Sequence, residues 1–444
     1  MRLTIIRLSV ILALAVVLAA SPCAVPSDQP APKGTETIEQ RLERAWKTLR
    51  DGDAAAAAPD LVAAAKEVPH PAVLMAAAEA LARSGKPAEA VSWIDRAAAM
   101  GGVGNLERIE EAFAAARSAP GVEPALAKLR SNDVPIARGK VAFTLEEKDL
   151  LPESVAYDPA SRAFYVGSLH KRKIVRVGAD GAAQDFVPQG GDGVWAVLGM
   201  KVDPRRRELW ANSCNPVEAS PPMAPEEPAT LGQAGVFRWS LDTGKLVAKH
   251  VIGSKDAPVC FNDLVITPDG IAWISAGPDV YRLAPGSAPE RFIGSDGFIN
   301  GIAASDDGSR IFLAHHLRGV QVLDPATRAV TPLKLPGDAT LAGIDGLYVR
   351  GRTLVAVQNG LGKSPERVVQ AALDASLSTV TCHVVLDRNR PEYDIPTTGV
   401  LVGDDLYYVA SSQLRSFENG RVWPLDRLKQ STIIRTALAG ADCR

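Results

Sequence analysis

The chain has 444 residues, 46% of them hydrophobic, with 49 Lys+Arg against 51 Asp+Glu. That is long enough for two domains, and the near-cancelling charge leaves no basic field to hold nucleic acid. The five cysteines include no CxxC or Cys/His spacing, so a zinc site is not expected.

The first element is a leader. Arg2 and Arg7 precede a short apolar run, Leu8 to Ala20, followed by small residues and Pro22. The run is short for a bilayer span, so residues 1–24 read as a cleaved signal peptide, and the mature protein as exported, periplasmic or secreted, with no membrane span. Export would permit disulfides; Cys214, Cys260, Cys382 and Cys443 admit one bridge, or buried thiols equally well.

Residues 36–131 are rich in Ala, Leu, Glu and Arg at helical spacing. Two segments share a helix–turn–helix plan with Gly52 and Gly85 at the turns, and a third is less regular. The second resembles a tetratricopeptide repeat, with Ala90 and Ala97 at close-packing positions. The expected role is a cap or spacer ahead of a dedicated groove for a protein partner.

After the linker "SNDVPIARGK" the grammar changes to short strands, which fill residues 140–442. One pattern recurs six times: "VAYDPASRAFYVGS", "MKVDPRRRELWANS", "LVITPDGIAWISAG", "IAASDDGSRIFLAHH", "LYVRGRTLVAVQNG" and "VLVGDDLYYVASSQ". Each is a strand, a tight turn and a second strand, at steps of 38 to 64 residues. The expected fold is mainly β, a six-bladed β-propeller behind a small α-helical, tetratricopeptide-like domain. Pairing of "VAFTL" near the start of this region with "STIIRTAL" at its end would close the ring and remove an exposed edge.

Two residues ahead of each predicted first strand stand Glu153, Leu198, Asn262, Asn300, Asp345 and Thr398. Equivalent positions of innermost strands converge at one channel mouth. Four of the six offer oxygen and none offers sulfur or imidazole, a set suited to a hard divalent cation, Ca²⁺ above Mg²⁺. Turn chemistry explains any one Asn or Asp, but not four in register, Glu153 included.

The segments "LPESVAYDP", "FNDLVITPDG", "NGIAASDDG" and "GIDGLYV" resemble signatures of the gluconolactonase/senescence-marker-protein (regucalcin) family, and more distantly paraoxonases and strictosidine synthase-like proteins. The resemblance spans roughly residues 140–440. It implies a Ca²⁺-type ion held by Glu153, Asn300 and Asp345, with Asn262 at or beside the metal facing substrate. Where sugar-acid lactonases of that family often carry Arg, this chain has Cys260 in "VCFND", which favours a less polar lactone or ester over an aldonolactone.

The reading is therefore a metal-dependent hydrolase of a lactone or ester. Its alternative is a non-catalytic exported propeller with a structural ion, binding a small ligand or a partner with help from the helical repeats. Asp345 is the expected base, with His315 a second candidate because imidazole titrates near neutrality. His170, at a similar strand end, joins Asn262 and Cys260 among expected substrate-facing residues. Asp263 is expected to point away from Asn262. The Pro-rich insert "NPVEASPPMAPEEPATLGQAG" is expected to be a surface loop near the channel.

Overall fold

The computed structural model describes residues 36–440, apart from 69, 104–105, 218–226, 338, 361–365 and 419–420. The leader, Cys443 and most of the Pro-rich insert lie outside the described residues. No helix among the described residues is long and apolar enough to cross a membrane.

The helical part comprises α1 (Ile38–Arg50), α2 (Ala54–Glu67), α3 (Pro71–Arg83), α4 (Pro87–Ala99), the short α5 (Leu106–Ala112) and α6 (Val122–Asn132). Local chemistry sets the boundaries. Thr37 and Gln40 form a reciprocal capping box at the start of α1, and the His70 imidazole accepts from the Ala72 amide at the start of α3. Ala90 and Ala97 are fully buried where α4 packs, so the helices approach closely.

Six four-stranded antiparallel sheets follow. Their innermost strands are Pro152–Asp158, Ala196–Asp203, Leu264–Ile266, Ile299–Ala304, Ile344–Arg350 and Gly399–Val402, in blades one to six. The first hairpin of each of the first four blades turns on an Asp. Asp158 takes the amides of Ala160 and Ser161, and Asp203 those of Arg205 and Arg206. Asp269 takes the amide of Ile271, and Asp307 that of Ser309. Apolar clusters fill the clefts between blades, such as Phe312, Leu347, Leu354 and Val369 between blades four and five.

The ring closes as expected. Lys140–Leu145 is the outermost strand of blade six, antiparallel to Ser431–Ala437. Ile136–Ala137, in the predicted linker, adds a fifth strand to the outer edge of blade five.

The helical part is seated on blades four and five. Leu317, from the loop after the second strand of blade four, is buried within the helical core. Arg318 pairs with Glu67 at 3.1 Å. The buried Arg367 guanidinium donates to the Met100 carbonyl at 3.0 Å and to Gln358 at 2.7 Å. His70 lies against Gly343, and burial first, then the charge of His316, pushes its pKa down to about 3. Gly343 is two residues from Asp345, so this seat borders the mouth end of the channel.

Ile434 is fully buried on the closing strand of blade six. Ile434→Ala is expected to lower stability by about 2–5 kcal/mol, read as a lower denaturant midpoint at unchanged slope.

Candidate functional site

The oxygen-bearing residues sit on irregularities of the innermost strands, a correction to their predicted place ahead of them. Strand pairing slips between Pro152 and Ser154, Val197 and Met200, Ile299 and Ile302, and Ile344 and Leu347. Glu153, Leu198, Asn300 and Asp345 fall inside those four slips. A bulge releases a residue from ladder alternation and re-aims its side chain, which lets these positions face the axis together. Asn262 precedes its short strand, as does Thr398.

The innermost strands are tied blade to blade at this level. Ser154 Oγ donates to the Leu198 carbonyl. The Gly199 amide donates to the Asn262 carbonyl at 2.8 Å, and Ser275 Oγ to the Asn300 carbonyl at 2.6 Å. Thr397 and Thr398 hydroxyls both donate to the Glu153 carbonyl, at 2.8 and 3.0 Å. Two glycines are required by this closeness. A β-carbon on Gly199 would lie 2.6 Å from Asp263 Cα, and one on Gly301 would collide with the Asp345 carbonyl.

Within the ring, Asn262 Nδ2 donates to Asn300 Oδ1, and Asn359 Nδ2 donates to Asp345 Oδ2. Glu153 and Asp345 are buried, while Asn262 and Asn300 are half-buried. Glu153 Oε2 and Asp345 Oδ1 make no hydrogen bond of acceptable geometry, although the Asn300 amide lies near enough to Asp345 to favour its charge. Burial, then the negative charges of Asp345 and Asp263, raises the Glu153 pKa well above the carboxylate range. Burial, then the Asp263 charge, pushes Asp345 up to about 7, against the lowering influence of Asn359 and Asn300.

Asp263 corrects its expected orientation. It lies ahead of the strand, is buried, and reaches the Ile302 amide of blade four at 3.4 Å and Lys201 of blade two at 3.2 Å. Sequence reasoning also passed over Lys201, Asn359 and the fully buried Asn212. Asn212 Nδ2 donates to the Asn262 carbonyl at 3.1 Å, and its Oδ1 is unpartnered.

The other expected residues stand apart from these contacts. His315 is buried, its Nε2 3.1 Å from Asp296 Oδ1 and its Nδ1 accepting from the Arg318 amide at 3.3 Å. Gly297 places it beside Glu39 of α1. His170 is half-buried in the turn after the second strand of blade one. Cys260 is bonded to Cys214, with a Cα–Cα separation of 5.1 Å, which resolves the open choice between bridge and thiols for this pair. The bridge fastens the stretch before Asn262 to the second strand of blade two.

Among the described residues no group of three or more His, Cys, Asp or Glu is arranged to hold a metal. The donor set in the ring is instead two carboxylates and two carboxamides. It fits a hard cation by its chemistry and by the two unpartnered buried carboxylate oxygens. Turning the Asn262 amide by half a rotation presents its oxygen, in place of Nδ2, to the same point.

No protein-family model matches the sequence, and no curated protein matches it. Solved structures similar to the chain include a gluconolactonase from Xanthomonas campestris, at 15% identity, covering 70% of this chain and 92% of that one, TM-score 0.45. A calcium-binding protein, regucalcin, from Agrobacterium tumefaciens is similar at 16% identity, covering 68% and 96%, TM-score 0.45. A luciferin-regenerating enzyme is similar at 13% identity, covering 69% and 96%, TM-score 0.46. The structural neighbours thus include six-bladed propellers of the gluconolactonase and regucalcin kind.

Glu153 and Asp345 have raised pKa values in the folded protein, so without a bound ion the native state holds protons that the unfolded chain has released. Their contribution is fully present at low pH and is lost as pH rises from the ordinary carboxylate range through about 7. Chelator-treated protein is expected to melt at a lower temperature at pH 8 than at pH 5.5, and Asp345→Asn to flatten that slope. Scanning calorimetry in chelator checks both.

Proposed function

We propose that the protein is an exported, divalent-metal-dependent hydrolase of a lactone or ester, working at the mouth of the propeller channel. The observation that carries this reading is the pair of buried carboxylate oxygens, Glu153 Oε2 and Asp345 Oδ1, left without partners in one channel. Such groups persist when protonated or when gathered around a cation. Charge favours the cation. Glu153, Asp263 and Asp345 bring three negative charges and Lys201 one positive, leaving two, the charge of one Ca²⁺. Glu153, Asn300, Asp345 and Asn262 would hold it.

A bound divalent ion supplies Lewis acidity that polarises the substrate carbonyl and stabilises the oxyanion. Asn262 and Asn300, the half-buried members of the ring, orient the substrate. Asn359 holds Asp345 Oδ2 and fixes the plane of the carboxylate, which accepts the proton of the attacking water. The water oxygen bonds to the carbonyl carbon, the C–O bond of the ester breaks, and the proton passes from Asp345 to the leaving alkoxide. Asp345 is preferred to His315 as base because both ring nitrogens of His315 are already engaged.

Cys260, its sulfur committed to Cys214, offers no charge to grip a polyol or carboxylate. This supports a less polar lactone or ester facing Asn262, with His170 on the mouth side of blade one. The same disulfide suits an oxidising compartment and supports export.

The test is hydrolysis of a panel of lactones and aryl esters with and without Ca²⁺. Activity that disappears with chelator and returns with Ca²⁺ is expected, and Asp345→Ala should lower kcat/KM by about 100-fold or more with far-UV circular dichroism unchanged. A panel that stays silent, with melting the sole response to Ca²⁺, would favour a structural ion.

A further inference from the structure

One group in the channel is left over by the hydrolytic reading. Lys201 lies on the innermost strand of blade two, three residues beyond the mouth position Leu198. Its side chain is one-fifth exposed, yet it points to no external charge. Nζ is 3.2 Å from Asp263 Oδ1 and 5.5 Å from the centroid of the Tyr348 ring. A carboxylate on one side and an aromatic face on the other make a seat built for a cation. Tyr348 is itself pinned, its hydroxyl oxygen accepting from the Gly399 amide. Asp263 is equally fixed, by the Leu264 amide at 2.8 Å and the Ile302 amide at 3.4 Å. The seat therefore keeps its shape without the lysine.

We propose that Lys201 is a resident cation of the channel, occupying a second cation seat at Asp263 and so limiting the channel to one divalent ion. The inference rests on the proposed ion at the mouth. With Lys201 in place, the channel groups carry two net negative charges; without it they carry three, in a site where attraction is weakly screened. The donors then available are Asp263 Oδ1 and the neighbouring Asn212 Oδ1, which is fully buried and has no partner. Both are oxygens, so the latent seat would take a hard cation of the same class as the mouth. Lys201 also holds Asp263 to one side, which leaves Glu153 and Asp345 to the mouth ion.

Stoichiometry of Ca²⁺ binding, by isothermal titration calorimetry on the full-length mature protein, tests this. One ion is expected for the wild type, two for Lys201→Met, and one again for Lys201→Met/Asp263→Asn, which removes the unpaired carboxylate. Lys201→Gln, neutral yet able to keep an N–H on Asp263, carries the same expectation of two and serves if the Met variant fails to fold. One ion in both the wild type and the neutral variants overturns the proposal and leaves the mouth ion standing. No ion in the wild type overturns the mouth ion and this proposal together.

Discussion

The candidate site depends on how closely six innermost strands approach one axis. At that level neighbouring blades are joined by backbone carbonyls that accept from hydroxyls or amides of the next blade, at Leu198, Asn262, Asn300 and Glu153. Side-chain volume is removed at Gly199 and Gly301 to allow it. Bulges in four of the six strands then release single residues toward the axis. Carboxylates from three different blades are brought within electrostatic reach of one another as a consequence.

That closeness is unfavourable in itself. Like charges and burial both oppose ionisation of Glu153 and Asp345, and the fold answers with amides: Asn359 and Asn300 toward Asp345, Asn262 toward Asn300. The Cys214–Cys260 bridge and the fully buried Phe261 secure the irregular stretch that leads into Asn262. This arrangement stores a preference for positive charge at a fixed point, which is what a Lewis-acid hydrolase requires. The helices add a border on one side, because their seat on blades four and five ends at Gly343 and Gly360, beside Asp345 and Asn359.

Much of this was legible from residue types alone. Asp and Gly turns at repeating distances announced the blade hairpins, because a turn is local chemistry. The oxygen donors were legible as a set because they recur at one register position. What escaped depends on partners far along the chain. A bulge is a mismatch between two strands, so placing Glu153 or Asn300 on one needed the pairing itself. In hindsight, Gly after Leu198, Asn300 and Asp345 was the available signal. Asp263 was misdirected by assuming that its strand had already begun. The disulfide could not be chosen from four cysteines without knowing that blades two and three adjoin, and the seat of the helices rests on Leu317 and Arg318, which look like ordinary loop residues.

The most direct test of the central claim is anomalous diffraction from crystals grown with Mn²⁺, an oxygen-preferring substitute for Ca²⁺. A single strong peak within about 2.0–2.6 Å of side-chain oxygens of Glu153, Asn300 and Asp345 is the predicted result. A channel mouth without a peak, at a metal concentration that saturates other sites on the protein, would contradict it.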